Sequence, residues 1–294
     1  DWLDEDLGVD FGDRSLVGGA YTAMQTLRVT RALGSYSMGA ANAYLDPLNE
    51  RLEQAIADGK AQIMYNTKVT ELLVEGDKCV GVKAGDLEFR APSVVLATGA
   101  DPRTLGVAGE TELLGRGVAY CAACDGMFYK GKTVVVVGGG NSAAADALIL
   151  SRVAKKVILV HRRDTLRATK IYHEPLSQAE NVEFRWNSVV SALLSGDRLT
   201  GVRLRDTVTG EESVVDCDGV FVSVGRQPAT ALAVGQLALD GGGYIVAGET
   251  TETSIPGVYA VGDVRTKPLR QVVTAVADGA VAVHMAEKYI AENR

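Results

Sequence analysis

The sequence is poor in the features that mark membrane, secreted and nucleic-acid-binding proteins. Its longest apolar runs, such as residues 134–137 and 157–160, have strand length and are too short for a transmembrane helix. It opens on the acidic stretch DWLDED, where a secretory signal would be basic and apolar. The net charge is −7, without a basic block. We therefore expect a cytoplasmic protein with no membrane span and no nucleic-acid partner.

Cysteine is also scarce, since the chain has four among 294 residues, too few for a disulfide scaffold of this size. Glycine is abundant, with 33 residues that often stand in clusters, and clustered glycines let a backbone approach a nucleotide closely. The length suffices for two domains with a large core.

One cysteine pair has the spacing of a redox centre, in Cys121-Ala122-Ala123-Cys124. Two such thiols can close a small disulfide ring and exchange two electrons, and Asp125 beside them could move the proton that each exchange needs. The competing interpretation is half of a zinc site or plain core packing. Zinc would need two more ligands, but Cys79 and Cys217 stand alone and the three histidines have no partner spacing. We expect redox chemistry and no metal.

A dinucleotide-binding pattern follows the cysteine pair. Residues 133–137 read as a strand, 141–154 as a helix and 156–160 as a second strand, which predicts a βαβ unit. The turn between them matches G-x-G-x-x-A, and an ordinary turn is the weaker alternative. The residues predicted to hold the pyrophosphate are Gly138, Gly140, Asn141, Ser142 and Ala143.

Basic residues stand where NAD-binding proteins carry an acid. His161, Arg162 and Arg163 come about twenty residues after the turn, and Arg167 lies one helical turn later. Arginine binds a 2′-phosphate through charge-assisted hydrogen bonds, whereas an acid would repel it. The sequence therefore predicts NADPH, with a solvated basic patch as the alternative.

A third pattern lies near the C-terminus, where residues 257–263 read as a strand that ends in Gly262-Asp263. Asp263 could accept hydrogen bonds from a ribityl hydroxyl. A helix that begins after Arg270, at Gln271 and Val272, would direct its positive end toward a flavin. Gly-Asp turns are common, so physics alone leaves a flavin site and an ordinary turn equally open.

From Ala97 to its end, the chain resembles the low-molecular-weight thioredoxin reductases. The motifs ATGADPR, GRGVAYCAACDG, VVVVGGGNSAAADALILS, HRRDTLRA, SIPGVYAVGDV and RQVVTAVADGAVAV occur in that family's order and spacing. The resemblance implies an α/β fold with two nucleotide-binding Rossmann-like domains, one for FAD and one for NADPH. It assigns Cys124 to the flavin side, Cys121 to attack on a thioredoxin-like protein, and Asp125 to acid–base work.

The resemblance carries further expectations. Thr98 and Gly99 would contact FAD together with Asp263 and Gln271, and we expect a homodimer. One departure is visible in the NADPH helix, where the family usually has two acids and this chain has Ala145 before Asp146.

The first hundred residues carry no G-x-G-x-x-G motif and are instead similar to the fumarate reductase and succinate dehydrogenase flavoproteins. The similar segments are residues 1–11, 27–39 and 45–99, which end in APSVVLATG. This similarity predicts a fusion whose FAD domain lacks its N-terminal βαβ unit, with the FAD fingerprint upstream of Asp1. We predict an FAD-domain part at residues 1–115, an NADPH domain at 116–232 and a second FAD-domain part at 233–294.

These patterns favour an enzyme in which NADPH reduces FAD, FAD reduces the Cys121–Cys124 disulfide, and the dithiol reduces a thioredoxin-like protein. Two alternatives remain. One is a fumarate-reductase-like flavoprotein that reduces a small organic acceptor. The other is a non-catalytic NADPH-binding redox module.

Overall fold

The computed structural model describes residues 39–293, with side chains from residue 48 onward. The segments at 1–11 and 27–38, in which a fumarate-reductase likeness is predicted, lie outside the described residues. The chain divides into two compact units, residues 1–68 and residues 69–294. The apolar spacing of residues 45–57 predicts a helix, and the described part of the first unit contains helix α1, Gly39–Ala57, which begins six residues earlier. The apolar run at residues 61–65 predicts a strand, but this segment is irregular backbone.

The second unit contains all of the predicted site residues. Its helices are α2 (Ala122–Asp125), α3 (Asn141–Ser151), α4 (His173–Gln178) and α5 (Val272–Glu292). Its strands are β1 (Glu71–Glu75), β2 (Lys78–Ala84), β3 (Leu87–Arg90), β4 (Val94–Leu96), β5 (Ala100–Pro102), β6 (Val118–Ala119), β7 (Thr133–Val137), β8 (Lys156–Val160), β9 (Val182–Arg185), β10 (Ser188–Ser195), β11 (Leu199–Asp206), β12 (Glu212–Asp216), β13 (Gly219–Val222), β14 (Arg226–Pro228) and β15 (Val258–Ala260).

A five-stranded parallel sheet forms the centre of this unit, in the order β6-β13-β7-β8-β9. Its strands are nearly continuous runs of valine, isoleucine and leucine because both faces of the sheet are covered. Alternate side chains enter two different cores. Val134 and Val136 pack with Ala147 of α3 on one face, whereas Val135 and Val137 pack with the β10–β12 sheet on the other. The predicted β7-α3-β8 unit is confirmed.

The alternating apolar residues from 214 to 224 predict one strand, and this prediction is wrong. The structure has two strands there, β12 in an antiparallel sheet with β10 and β11, and β13 in the parallel sheet. Asp218 causes the change of sheet. Its backbone N–H donates to the Thr133 carbonyl at 2.8 Å, and its carboxylate accepts the Thr133 N–H at 2.9 Å.

Two short strand pairs place the ends of distant segments together. β15 pairs in parallel with β4, so the residues that follow both strands meet at one edge. β5 pairs antiparallel with β14. All strands of the parallel sheet lie between these two strands in the sequence. A separate antiparallel sheet, β1-β2-β3, packs on the same core as β4 and β15. Among the described helices, none combines the length and apolarity needed to cross a membrane.

Candidate active site

The turn between β7 and α3 is shaped by side chains that pack against its glycines. Gly138 has a φ of +148°, and a Cβ there would lie 2.4 Å from the Ser223 carbonyl oxygen and 2.8 Å from the Ala143 Cβ. A Cβ on Gly139 would lie 2.2 Å from the imidazole of His161. At Gly140, by contrast, an added Cβ would meet no described atom within 4 Å. Two glycines therefore permit packing, and the third faces open space, where a ligand can approach the start of α3.

The glycine turn forms one side of a pocket, and basic residues close the other side. His161 is 4% exposed, and its Nε2 is buried without a hydrogen-bond partner among residues 48–293. Burial lowers the pKa of His161, and Arg167, Arg163 and Arg162 lower it further, so the imidazole stays neutral. The backbone N–H of Arg167 donates to the Gly139 carbonyl at 2.7 Å, which holds the arginine loop against the glycine turn.

The resulting cavity, of about 530 Å³, fits a pyridine dinucleotide. An orphaned buried imidazole and a helix start that is open to approach are the groups that a phosphate would satisfy. Seven of the predicted residues line the cavity, and buried Ala143 supports it from beneath. The lining residues are Gly138, Gly140, Asn141, Ser142, His161, Arg162 and Arg167. Arg163 is exposed and is not among the described residues that line this cavity.

The two cysteines form a disulfide with their Cα atoms 5.3 Å apart, the form that the redox interpretation requires. Cys121 precedes α2, and its Sγ accepts the backbone N–H of Cys124 at 3.1 Å. Helix α2 packs closely on α3, since a Cβ on Gly126 would lie 3.3 Å from Cδ2 of Leu150. The disulfide is therefore carried by the domain that holds the nucleotide turn.

Two carboxyl groups flank the disulfide segment. Asp125 is partly buried, and burial raises its pKa. Asp146 on α3 accepts the Ser223 hydroxyl at 2.5 Å. Burial raises the pKa of Asp146, although the Ser223 hydroxyl, the Ala122 backbone and the Arg226 guanidinium lower it. Sequence reasoning assigned Asp146 no role, and the one available signal was its place beside the departure at Ala145.

A second pocket, of about 580 Å³, has the disulfide in its wall. It lies where β4 and β15 end and α5 begins, which brings five distant segments together. Thr98 is fixed by donating its hydroxyl to the Ala229 carbonyl at 2.7 Å, and Asp263 lies 3.8 Å from the Arg226 guanidinium. The predicted residues that line it are Thr98, Gly99, Cys121, Cys124, Gly262, Asp263, Arg270, Gln271 and Val272.

This second pocket fits the ring end of a flavin. Gln271 caps α5, and together with Thr274 it forms a reciprocal capping box, so the positive end of the helix is fixed at the pocket wall. Arg270 is held by its Nε, which donates to the Asp263 carbonyl at 3.3 Å, and by stacking 3.8 Å from the Tyr244 ring centroid. At Gly99, with φ +74°, an added Cβ would meet no described atom within 4 Å, which leaves the backbone open to a ligand.

Comparisons of this chain with known proteins agree on one family. The model of the pyridine nucleotide-disulphide oxidoreductases matches residues 16–279. The thioredoxin reductase of Listeria monocytogenes is 47% identical over 221 residues, 75% of this chain and 69% of its own. That of Peptoclostridium acidaminophilum is 39% identical over 272 residues, 90% of this chain and 85% of its own. The crystal structure of thioredoxin reductase from Streptococcus pyogenes superposes with a TM-score of 0.76 at 38% identity, covering 84% of this chain and 80% of its own.

The fold and the two pockets thus define a flavoprotein disulfide reductase that also binds a pyridine nucleotide. The chain belongs to the pyridine nucleotide-disulphide oxidoreductases and, within them, to the thioredoxin reductases. The family match begins at residue 16 and therefore covers most of the segment in which a fumarate-reductase likeness is predicted. That likeness stays a prediction.

Proposed function

We propose that the chain passes electrons from NADPH to FAD, from FAD to the Cys121–Cys124 disulfide, and from the dithiol to a thioredoxin-like protein. One observation carries the proposal: the disulfide lies in the wall of the pocket that Asp263 and Gln271 also line. The named relatives, all thioredoxin reductases, support the choice of protein substrate.

The flavin, when bound, supplies a carrier that takes an electron pair from the nicotinamide and gives it to the disulfide. Reduction adds two electrons and two protons, breaks the S–S bond and leaves thiols on Cys121 and Cys124. Cys121 gives its proton to Asp125 and attacks the substrate disulfide as a thiolate, and the substrate sulfur that leaves takes that proton from Asp125. Cys124 then loses its proton to Asp125 and attacks the Cys121 sulfur, which restores the internal disulfide. The second substrate sulfur leaves and takes up this proton, so the substrate is released as a dithiol.

Selectivity for NADPH would come from Arg162 and Arg167, which line the nucleotide pocket and can donate charge-assisted hydrogen bonds to a 2′-phosphate. Thr98, Asp263 and Gln271 would bind FAD at the second pocket. We further propose that the protein acts as a cytoplasmic homodimer, with its NADPH domain at residues 116–232 between two parts of the FAD domain.

The test is NADPH oxidation by the FAD-loaded protein, with an oxidised thioredoxin-fold protein as acceptor and fumarate in a parallel reaction. We expect turnover that needs FAD and the thioredoxin-fold acceptor, and none with fumarate. Turnover with fumarate alone would favour the small-acceptor alternative. Tight NADPH binding without flavin or turnover would favour the non-catalytic module.

A further inference from the structure

A charged cluster is buried directly behind the second pocket. The Asp278 carboxylate on α5 accepts Nε of Arg265 at 2.8 Å and Nη2 of Arg265 at 2.6 Å, and it also accepts Nζ of Lys267 at 2.6 Å. The three side chains are only 4–8% exposed. Such a cluster is removed from water, so its charges are weakly screened.

The cluster has more positive than negative charge. Among residues 48–293, the ion pairs of Arg265 and Lys267 are both with Asp278, which gives two cations and one anion. Their other hydrogen bonds go to neutral carbonyl oxygens of Ala247, Thr266 and Thr274. The one further acid that raises the pKa of Arg265 is Glu249, which is exposed to solvent. The cluster therefore keeps an excess charge of one.

A buried excess positive charge raises the free energy of the folded protein unless an anion lies close to it. Burial alone raises the pKa of Asp278, but hydrogen bonds from Arg265, Lys267 and the Gly262 N–H outweigh burial and hold the pKa at about 2. The carboxylate is thus ionised at neutral pH and neutralises one cation. Its bonds to Arg265 form a complete bidentate pair, so Lys267 is the second cation and brings the excess charge.

The cluster contacts the pocket wall from two directions. The Gly262 N–H donates to Asp278 at 2.9 Å, and Gly262 lines the pocket. Nζ of Lys267 donates to the Thr274 carbonyl at 3.2 Å, next to Ala275, which also lines the pocket. The charge of Lys267 therefore lies immediately behind the residues that would contact a flavin.

We propose that Lys267 is a positioning residue whose buried charge makes the bound flavin easier to reduce. This rests on the flavin site proposed above. A two-electron-reduced flavin carries more negative charge than the oxidised form, and a cation held in a weakly screened site stabilises the more negative state.

The experiment measures the midpoint potential of the bound flavin in three variants of the full chain. Lys267→Met removes the charge and keeps the stem length, Lys267→Gln also keeps a donor toward Asp278, and Lys267→Arg keeps the charge. We expect the first two to disfavour flavin reduction at least tenfold, about 30 mV for a two-electron couple, and the third to stay near the parent. Lys288→Met is the matched control, since Lys288 is an exposed lysine on α5, the helix that carries Asp278.

The outcomes separate this inference from the function on which it rests. A flavin-loaded parent protein that does not reduce the thioredoxin-fold acceptor would overturn the proposed function. Flavin bound at an unchanged potential in Lys267→Met and Lys267→Gln would overturn the role of Lys267 and leave the function standing. Failure of both variants to fold would also overturn it, because Lys267 would then be a requirement of the fold.

Discussion

The two pockets of the molecule differ in how the chain builds them. Much of the nucleotide pocket comes from one stretch, residues 137–167, in which β7, the glycine turn, α3 and β8 follow one another. The disulfide pocket comes from five segments, near residues 99, 123, 226, 262 and 272. The first depends on local geometry, whereas the second exists only after β4 and β15 have paired.

The two pockets also differ in their proposed roles, since the first would bind the nucleotide and the second would carry out the disulfide chemistry. The nucleotide pocket is shaped by glycines and ends in cations, so its selectivity follows from charge. The wall of the disulfide pocket contains both sulfurs and the N-terminus of α5, so its function depends on how these segments are aligned. The two should therefore fail independently when each is altered.

The largest expected effect comes from breaking the disulfide pocket alone. Cys121→Ser and Cys124→Ser should each abolish reduction of a thioredoxin-like acceptor, because two thiols are needed for a two-electron exchange. NADPH binding should change little, since the glycine turn remains intact. The measurements are acceptor-dependent NADPH oxidation and NADPH affinity by titration.

A matched control for these variants is Cys217→Ser, a buried thiol whose pKa burial raises to about 12 and which should stay inert. Acceptor turnover that survives in Cys121→Ser or Cys124→Ser would contradict the dithiol mechanism.

A smaller effect is expected from the basic end of the nucleotide pocket. Arg162→Ala and Arg167→Ala should each weaken NADPH binding by roughly 1.5–3 kcal/mol, about 10- to 100-fold, because each removes a charged hydrogen bond to the 2′-phosphate. NADH, which lacks that phosphate, should bind almost as before. Isothermal titration with both nucleotides measures the difference.

Arg163→Ala provides the control within the same loop, since Arg163 is exposed and is not among the described lining residues. Its effect on NADPH affinity should be clearly below that of the other two. Equal losses for NADPH and NADH in Arg162→Ala would mean that the arginine supports the fold and not the phosphate.

The sequence predicts the nucleotide pocket better than it predicts the disulfide pocket. The β7-α3-β8 unit, the small residue at Ala143 and the basic end at His161 could be read from spacing, because each depends on neighbours within thirty residues. Asp263 and Gln271 were assigned to the flavin only through a family resemblance. Their own residue types left an ordinary turn equally open.

Other features could not be predicted because they depend on contacts between distant residues. The break between β12 and β13 is set by the bonds of Asp218 to Thr133, 85 residues away. The link of Asp146 to Ser223 spans 77 residues. Lys267 looks like an ordinary loop lysine in the sequence, and only packing against Asp278 reveals that it is buried.

The smallest expected effect concerns Asp146, which lies on the nucleotide helix, accepts the Ser223 hydroxyl, and has its pKa lowered by the backbone of Ala122, beside Cys121. Asp146→Ala should shift the equilibrium between disulfide and dithiol by about 2- to 10-fold, since a lost hydrogen bond is worth ~0.5–1.5 kcal/mol. Asp146→Asn keeps an acceptor oxygen and should stay closer to the parent, while Ser223→Ala should show part of the alanine effect. The measurement is the disulfide–dithiol equilibrium of the FAD-free protein in a glutathione buffer, with NADPH affinity measured alongside. If Asp146→Ala leaves that equilibrium unchanged, the two pockets are independent at this point.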